Sequence, residues 1–229
     1  MIAVTFALPA ESSNFIKLLQ RRSRQGVLVR GTFHNIDVCV LHTGVGEHST
    51  RRRVGEFLQS QKPELLVSSG FAGALTDRLR VGDILLADNY SAPENLANAR
   101  RLLPSSRTHI GSLSTAPAIV DSAAQRDDLA RESGSLAVDM ETRFIAEACS
   151  QSAIPMLAIR AISDSPSAPM PVPPDVMFDI ERQRTRFAAL ALYVAKNPTA
   201  LAKLTRFGKQ IAAVRVALTE ALATLLRSR

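Results

Sequence analysis

Short apolar runs alternate with helically spaced apolar residues along most of the chain. The runs that predict buried strands are 1–6, 27–30, 36–41, 65–68, 84–87 and 156–162. Apolar residues spaced three and four apart predict helices over 10–20, 47–58, 117–131 and 141–152. Strands that alternate with helices indicate an α/β fold with a largely parallel sheet and helices on both of its faces.

Two segments lack this periodicity. Residues 89–108 combine several chain breakers with few spaced apolar positions, which predicts a loop. Residues 163–175 contain five prolines and cannot form regular structure. Beyond them, 176–193 and 201–226 follow helical patterns that are interrupted at Asn197-Pro198. We therefore expect an α/β core over residues 1–175 and basic amphipathic helices, packed on that core, over residues 176–229.

The net charge of +7 is concentrated near the C-terminus. Residues 175–229 contain ten Lys or Arg and four Asp or Glu, which accounts for +6 of this charge. Leucines recur on one face of 201–226, and two interpretations fit: packing on the core or on a second subunit, or contact with an anionic membrane surface. The chain has no Trp and no nucleic-acid-binding motif, which argues against a nucleic-acid reader.

Composition also bears on location and cofactors. The apolar stretches are too short to span a membrane, no secretory signal is recognisable, and the two cysteines lie in apolar settings. We therefore expect a cytoplasmic protein, with peripheral contact to a membrane surface as an option. The histidines, His34, His42, His48 and His109, form no pattern of metal ligands, so we expect neither a metal nor a redox cofactor.

A turn with two glycines follows the predicted strand 36–41 and opens the predicted helix 47–58. Gly44 and Gly46 permit a tight turn that exposes backbone N–H groups, and a helix N-terminus favours an anion such as phosphate. Arg51, one turn into the helix, could bind the same anion with its guanidinium. An ordinary strand-to-helix turn and a solvent-exposed arginine explain these residues as well.

A run of small residues follows the predicted strand 65–68. Within it, Phe71, Ala72 and Gly73 are candidates for substrate contact, because small neighbours let a ligand approach the backbone closely. A glycine-rich connection without any ligand is about as compatible with this pattern.

Three carboxylates stand at or near predicted strand ends. Glu141 could accept hydrogen bonds from vicinal hydroxyls beside the soft surface of Met140, or it could only complement a helix dipole. Arg160 and Asp164 lie at the end of the strand 156–162, where open α/β sheets place ligands. Asp164 could protonate a leaving group or only cap a turn. Glu11, after the first strand, could act as a general base or be an ordinary first-turn residue.

Taken in order, these segments resemble the nucleoside phosphorylase/nucleosidase superfamily, especially its methylthioadenosine/S-adenosylhomocysteine nucleosidase branch. The matching residues are Phe6-Ala7-Leu8-Pro9-Ala10-Glu11, Thr43-Gly44-Val45-Gly46, Ser69-Gly70-Phe71-Ala72-Gly73-Ala74-Leu75 with Val81-Gly82-Asp83-Ile84, Ala137-Val138-Asp139-Met140-Glu141, and Arg160-Ala161-Ile162-Ser163-Asp164. The resemblance implies a three-layer α/β/α fold with a central mixed sheet. It also implies a homodimer or higher homo-oligomer that cleaves the N-glycosidic bond of a 5′-modified adenine nucleoside.

The resemblance assigns a role to each candidate residue. Asp164 would hydrogen-bond the purine N7 and supply its proton, whereas Glu11 would activate water in a nucleosidase. Met140 would line the ribose, and Glu141 would bind its 2′ and 3′ hydroxyls. Arg160 would support the site from the same strand end as Asp164.

Residues 134–141 and the tail with Lys196-Asn197-Pro198 look like the hopanoid-associated phosphorylase branch. That branch implies adenosylhopane, a lipid-linked nucleoside, as the substrate. Ser68 stands where hexameric phosphorylases carry a phosphate-binding arginine, so the choice between hydrolysis and phosphorolysis, with inorganic phosphate as a co-substrate, stays open. A non-catalytic nucleoside- or lipid-binding protein on the same fold is the alternative.

Overall fold

One large sheet with helices on both faces organises the chain. The structure is a computed structural model that describes residues 1–173, 176, 178–179 and 183–228. Its strands are β1 (Ile2–Phe6), β2 (Gln20–Gln25), β3 (Leu28–Phe33), β4 (Ile36–His42), β5 (Leu65–Ala74), β6 (Ile84–Ala87), β7 (Thr108–Gly111), β8 (Leu113–Thr115), β9 (Ala137–Asp139), β10 (Met156–Asp164), β11 (Phe178–Asp179) and β12 (Arg184–Thr185). Its helices are α1 (Pro9–Leu18), α2 (Glu47–Ser60), α3 (Pro93–Leu102), α4 (Ala123–Ser133), α5 (Thr142–Gln151), α6 (Phe187–Lys196) and α7 (Thr199–Arg227).

The middle of the sheet is parallel and its margins are partly antiparallel. The strand order is β2-β3-β4-β1-β5-β10-β6-β7, with β9 paired to the end of β5 and β8 beside β9. Strands β4, β1, β5 and β10 run parallel to one another, whereas β3 and β6 run antiparallel to their neighbours in this group. The carboxyl ends of β1, β5 and β10 therefore meet at one edge, where α/β folds bind ligands.

Each face of the sheet has its own apolar core. Along β1, Ile2, Val4 and Phe6 belong to the core that α1 and α7 cover, whereas Ala3 belongs to the core under α2 and α5. This alternation follows from the two-residue period of a strand. The predicted fold class, three α/β/α layers around a central mixed sheet, is confirmed.

Three predictions of local structure are wrong, in the type of element or in its bounds. Residues 89–108, predicted as a loop, contain α3, whose one buried residue is Ala99, so the helix shows little apolar periodicity. Within the predicted helix 176–193, Phe178–Asp179 and Arg184–Thr185 pair as short antiparallel strands, and α6 begins at Phe187. Part of that predicted helix, residues 177 and 180–182, lies outside the described residues. The predicted helix 117–131 likewise begins later, at Ala123.

The last helix, α7, has two unlike halves. In its second half Val214, Leu218, Leu222 and Leu225 are buried in the core, where α7 packs against α1 and β10. In its first half Leu201 is 60% exposed. The predicted helix 201–226 is confirmed, and the division of the chain at residue 175 stays a prediction. None of the helices in the described part of the chain combines the length and apolarity that a membrane crossing needs.

Candidate active site

A cavity of about 380 Å³ opens at the carboxyl ends of the central strands, a size that suits a nucleoside-sized ligand. Four carboxylates line it, and we call them the carboxylate cluster: Glu11, Asp139, Glu141 and Asp164. Apolar side chains from the last third of the chain line it as well, and we call them the apolar wall: Met170, Phe178, Leu190, Phe207 and Ile211. The cavity therefore offers charge to one part of a ligand and apolar surface to another.

Glu141 lies where β9 leads into α5. Burial raises its pKa to about 8, and the negative charge of Asp139 adds to the rise. The backbone N–H of Gly46 acts in the opposite direction, because it donates a hydrogen bond of 2.8 Å to Oε1 of Glu141. Gly46 directly precedes α2, so the starts of two helices meet at this carboxyl.

Glu11, in the first turn of α1, is held by backbone groups on both of its oxygens. The N–H of Leu8 donates to Oε2 at 2.9 Å, and the N–H of Phe71 donates to Oε1 at 3.1 Å. Burial raises the pKa of Glu11, and these N–H groups and the charge of Arg160 oppose that rise. A buried carboxyl with a raised pKa is a stronger base than an exposed one once it is ionised, as a general base requires.

Arg160 and Asp139 form a buried ion pair beside the cluster. Arg160 donates to Oδ2 of Asp139 from Nε at 3.0 Å and from Nη2 at 2.9 Å. Asp139 also accepts from the N–H of Thr142, at 3.2 Å, and so caps α5 immediately after Glu141. Two further N–H groups of Arg160 donate to the carbonyl and the hydroxyl of Ser68, at 2.8 and 2.9 Å. Arg160 thus ties β5 to the start of α5 and fixes the backbone that carries Glu141.

A second cavity, of about 10 Å³, is lined by both Glu11 and Glu141. Thr5, Ser69 and Arg160 also line it, and the hydroxyls of Thr5 and Ser69 are buried without a hydrogen-bond partner among the described residues. A polar space of this volume accommodates about one water molecule.

Asp164, the last residue of β10, is 2% exposed and is engaged through both oxygens. The hydroxyl of Ser163 donates to Oδ1 at 2.6 Å, and the guanidinium of Arg126 pairs with Oδ2. Gly73 makes room for this arrangement, since a Cβ there would lie 2.9 Å from Oδ2 of Asp164.

The predicted substrate-binding residues divide between the two cavities. Met140, Ala72 and Gly73 line the large cavity, and Phe71 lines both. Arg160 lines the small one. Met140 precedes Glu141 directly, so one strand end presents both an apolar and a charged side chain to the same space.

The N–H groups of the glycine turn are already engaged within the protein. Gly44 donates to a backbone carbonyl at 3.0 Å, Val45 donates to the side chain of Gln183 at 2.7 Å, and Gly46 donates to Glu141. The turn therefore positions Glu141. Binding of phosphate by the same turn stays a prediction.

Arg51 lies on the exposed side of α2. Its guanidinium pairs with Glu47 and Glu147, each at 2.7 Å, and stands 4.7 Å from the ring centroid of Phe144. Within the described part of the chain, Arg51 is not one of the residues that line either cavity. The structure thus separates it from the carboxylate cluster.

Comparison with known proteins assigns the chain to a family. The family model of the phosphorylase superfamily matches residues 1–99 and 92–196. The chain belongs to the phosphorylase superfamily. A 5′-methylthioadenosine/S-adenosylhomocysteine nucleosidase from Staphylococcus haemolyticus is 25% identical over 163 residues, which are 59% of this chain and 72% of that protein.

Solved structures share the fold of this superfamily member. An S-adenosylhomocysteine nucleosidase from Streptococcus pyogenes, in complex with 5-methylthiotubericidin, matches with a TM-score of 0.76 at 19% identity, over 99% of this chain and 96% of that chain. The futalosine hydrolase of Helicobacter pylori matches with a TM-score of 0.74 at 16% identity, over 100% of this chain and 97% of that chain. At these identities the likeness establishes the fold.

Three polar residues around the site of this phosphorylase-superfamily protein were missed by the sequence analysis. Ser69 stands inside a quoted motif and could have been recognised there, whereas Thr5 lies in an apolar strand without any signal. Arg126 lies in a polar helix and resembles any surface arginine in sequence. Among the described residues, no three or more His, Cys, Asp or Glu side chains are grouped so that they could hold a metal ion.

Proposed function

We propose that this protein hydrolyses the N-glycosidic bond of an adenine nucleoside with a modified 5′ position and releases adenine. The observation that carries the proposal is the convergence of three buried carboxylates, Glu11, Glu141 and Asp164, on one nucleoside-sized cavity. The nucleosidase from Staphylococcus haemolyticus supports the same class of substrate.

Bond cleavage places positive charge on the ribose and negative charge on the purine. In the proposed reaction Asp164 donates a proton to N7, so that the electron pair of the C1′–N9 bond leaves on a neutral base. In its ionised form, Glu141 accepts hydrogen bonds from the 2′ and 3′ hydroxyls and stabilises the positive ribose. Met140 packs beside the sugar ring.

The nucleophile in this proposal is a water molecule in the small cavity. Its oxygen forms the new bond to C1′ as the bond to N9 breaks, and its proton passes to Glu11. The unpartnered hydroxyls of Thr5 and Ser69 provide further hydrogen bonds that orient the water. Arg160 supports the site from β10 and holds the backbone around it.

Three features favour water over inorganic phosphate as the nucleophile. The small cavity has the volume of about one water molecule. The N–H groups of the glycine turn, Gly44 to Gly46, bind groups of the protein itself, and Arg51 pairs with carboxylates outside both cavities. Ser68 stands at the position where hexameric phosphorylases carry a phosphate-binding arginine. It is fully buried, and its hydroxyl accepts a hydrogen bond from Arg160.

The decisive experiment incubates the purified protein with methylthioadenosine, with and without phosphate, and measures free adenine and the released sugar. We expect adenine and methylthioribose at a rate that phosphate does not change. Methylthioribose 1-phosphate that forms only with phosphate would establish phosphorolysis instead. No adenine in either sample, together with binding of the nucleoside, would indicate the non-catalytic alternative.

The apolar wall suggests that the 5′ substituent is apolar, and we propose a lipid-linked nucleoside such as adenosylhopane as the finer substrate. Leu192 and Leu201 are 58% and 60% exposed on α6 and α7, close in sequence to the exposed Lys196 and Lys203. Exposed leucines beside lysines suit an anionic lipid surface. A series of 5′-alkylthioadenosines of rising chain length tests this, with kcat/KM expected to rise with length.

Contact with a membrane surface is a separate part of the proposal. Sedimentation with anionic vesicles should carry the protein down at low salt, and neutral vesicles should not. Equal sedimentation with both lipids would indicate that α6 and α7 pack on the protein and do not bind a membrane surface. A cytoplasmic location and assembly into a homo-oligomer stay predictions.

A further inference from the structure

Arg215 is the only positively charged residue that lines the large cavity within the described part of the chain. It lies on α7, four residues after Ile211 and eight after Phe207, so the three residues share one face of the helix. Four residues advance about 6 Å along a helix axis. Arg215 therefore stands one helical turn beyond the apolar wall and adds a positive charge to that side of the cavity.

The backbone of α7 is fixed on both sides of Arg215. Before it, the side-chain amide of Gln210 donates to the carbonyl of Ser163 at 2.8 Å, next to Asp164 on β10. Val214 and Leu218 are buried in the core where α7 packs against α1 and β10. The helix therefore holds the Cα atom of Arg215 beside the cavity, while the long side chain can adjust to a ligand.

Among the described residues Arg215 has no partner, unlike the other two arginines of the site. Arg160 pairs with Asp139, and Arg126 pairs with Asp164. Nε of Arg215 is buried without a hydrogen-bond partner in the described part of the chain. Because a buried donor without an acceptor is unfavourable, its presence at a cavity indicates that a ligand supplies the acceptor.

The other carboxylates that line the cavity do not supply this acceptor. Both oxygens of Glu11 accept hydrogen bonds from backbone N–H groups, and Oε1 of Glu141 accepts one from Gly46. Within the described structure, neither carboxylate forms an ion pair with Arg215. The charge of Arg215 is therefore available to a ligand.

The position of Arg215 on α7 indicates which part of a ligand it meets. Phe207 and Ile211 belong to the apolar wall, which the proposed function assigns to the 5′ group. An apolar stem that packs along these two side chains would bring its far end to Arg215. A carboxylate is the group that matches a guanidinium best, because its two oxygens accept two parallel N–H groups.

We propose that Arg215 is a specificity-determining residue that binds a carboxylate carried on an apolar stem at the 5′ position of the nucleoside. This inference rests on the proposed function. It adds a second class of 5′ group to the wholly apolar class, which uses the apolar wall and leaves Arg215 without an acceptor.

The test measures kcat/KM for two nucleosides whose 5′ groups have the same length, 5′-carboxypropylthioadenosine and 5′-butylthioadenosine. Arg215→Gln removes the charge and the fork of N–H groups, so kcat/KM for the carboxylate should fall by about tenfold or more. The value for the butyl compound should change little. Arg215→Lys keeps the charge without the fork and should give an intermediate loss for the carboxylate.

Lys209→Gln is the matched control, because it removes one positive charge from an exposed position of the same helix outside the cavity. It should leave the preference between the two nucleosides unchanged. Equal losses for both nucleosides in Arg215→Gln would mean that Arg215 maintains the site and does not select the 5′ group. An unchanged value for the carboxylate would mean that Arg215 does not bind it. Either result would overturn the proposal.

A second measurement uses the wild type alone and does not depend on a folded Arg215 variant. Calorimetry compares the affinities of carboxyalkylthioadenosines and alkylthioadenosines of rising and matched chain length. We expect the affinity of the carboxylate, relative to its apolar counterpart, to pass through a maximum at the length that reaches Arg215. A carboxylate that weakens binding at every length would contradict the inference. Failure of the proposed function would appear differently, as nucleosides that bind with this preference but release no adenine.

Discussion

The carboxylate cluster and the apolar wall border the same cavity but are built in different ways. Glu11, Glu141 and Asp164 stand at the ends of strands or beside them, and backbone N–H groups or buried ion pairs fix each of them. The apolar wall comes from segments after residue 165, among them α6 and the first half of α7. Under the proposed function, the cluster carries the reaction and the wall contacts the 5′ group.

The largest expected effect comes from Asp164→Asn in the cluster. The amide still forms hydrogen bonds with a purine but cannot donate a carboxylic proton, so we expect kcat to fall by roughly 10²–10⁴-fold with little change in nucleoside binding. Single-turnover release of adenine and equilibrium binding measure the two quantities. Asp77→Asn, at an exposed position, serves as the control. A rate near that of the wild type would remove Asp164 from the role of acid.

Glu141→Gln should have the next largest effect, and its pattern should differ. Because Glu141 is assigned to the ribose hydroxyls, we expect both a higher KM and a lower kcat, each by about tenfold or more. The loss should be smaller for a 2′-deoxy nucleoside, which lacks one of the two hydroxyls. Exposed Glu56 of α2, changed to glutamine, is the matched control. An identical loss for both nucleosides would place Glu141 away from the 2′ hydroxyl.

A change in the apolar wall should alter selectivity instead of chemistry. In Phe207→Ala we expect KM for a 5′-butylthio nucleoside to rise by about tenfold, because apolar contacts with the 5′ group are lost. KM and kcat for adenosine, which has no such group, should change little. Leu18→Ala, at an exposed apolar position of α1, is the control. Equal losses for both substrates would show that the wall shapes the whole site.

The smallest expected effect is on stability and depends on pH. The pKa of Glu141 is raised from 4.5 to about 8, mainly by burial. Between these values the folded protein holds a proton that the unfolded chain has released, so the free energy of unfolding falls as the pH rises. Thermal unfolding of the wild type and Glu141→Gln across this range should show a weaker decline in the variant. Parallel curves would mean that Glu141 is not the group responsible.

The parts of the site that could be predicted from the sequence are those fixed by neighbours along the chain. Met140 and Glu141 follow β9 directly, and Asp164 ends β10, so a strand pattern and a motif are sufficient to bring them to one edge. Arg126 is different, because it reaches Asp164 across 38 positions from a helix whose spacing gives no sign of burial.

For the fold as well, the sequence predicts features that are determined locally and misses those that depend on contacts between distant residues. The turn at His34-Asn35 between β3 and β4 is determined locally, since both of its residues have positive φ, as a tight hairpin favours. Helix α3 has almost no apolar face, so periodicity could not reveal it. In α1, Leu18 is 42% exposed at the helix end, whereas Phe15, one turn earlier, is fully buried. Tertiary packing decides such positions.

Helix α7 contributes both to the buried core and to the apolar wall. Leu218 and Leu222 anchor its second half between α1 and the sheet, and Phe207 and Ile211 from its first half contribute to the apolar wall. Phe207 lies about three helical turns from Leu218. The effects of substitutions at these two positions on ligand choice and on folding should therefore add independently. Under the proposed function, a substitution in the first half of α7 changes the contact with the 5′ group and leaves the buried core intact.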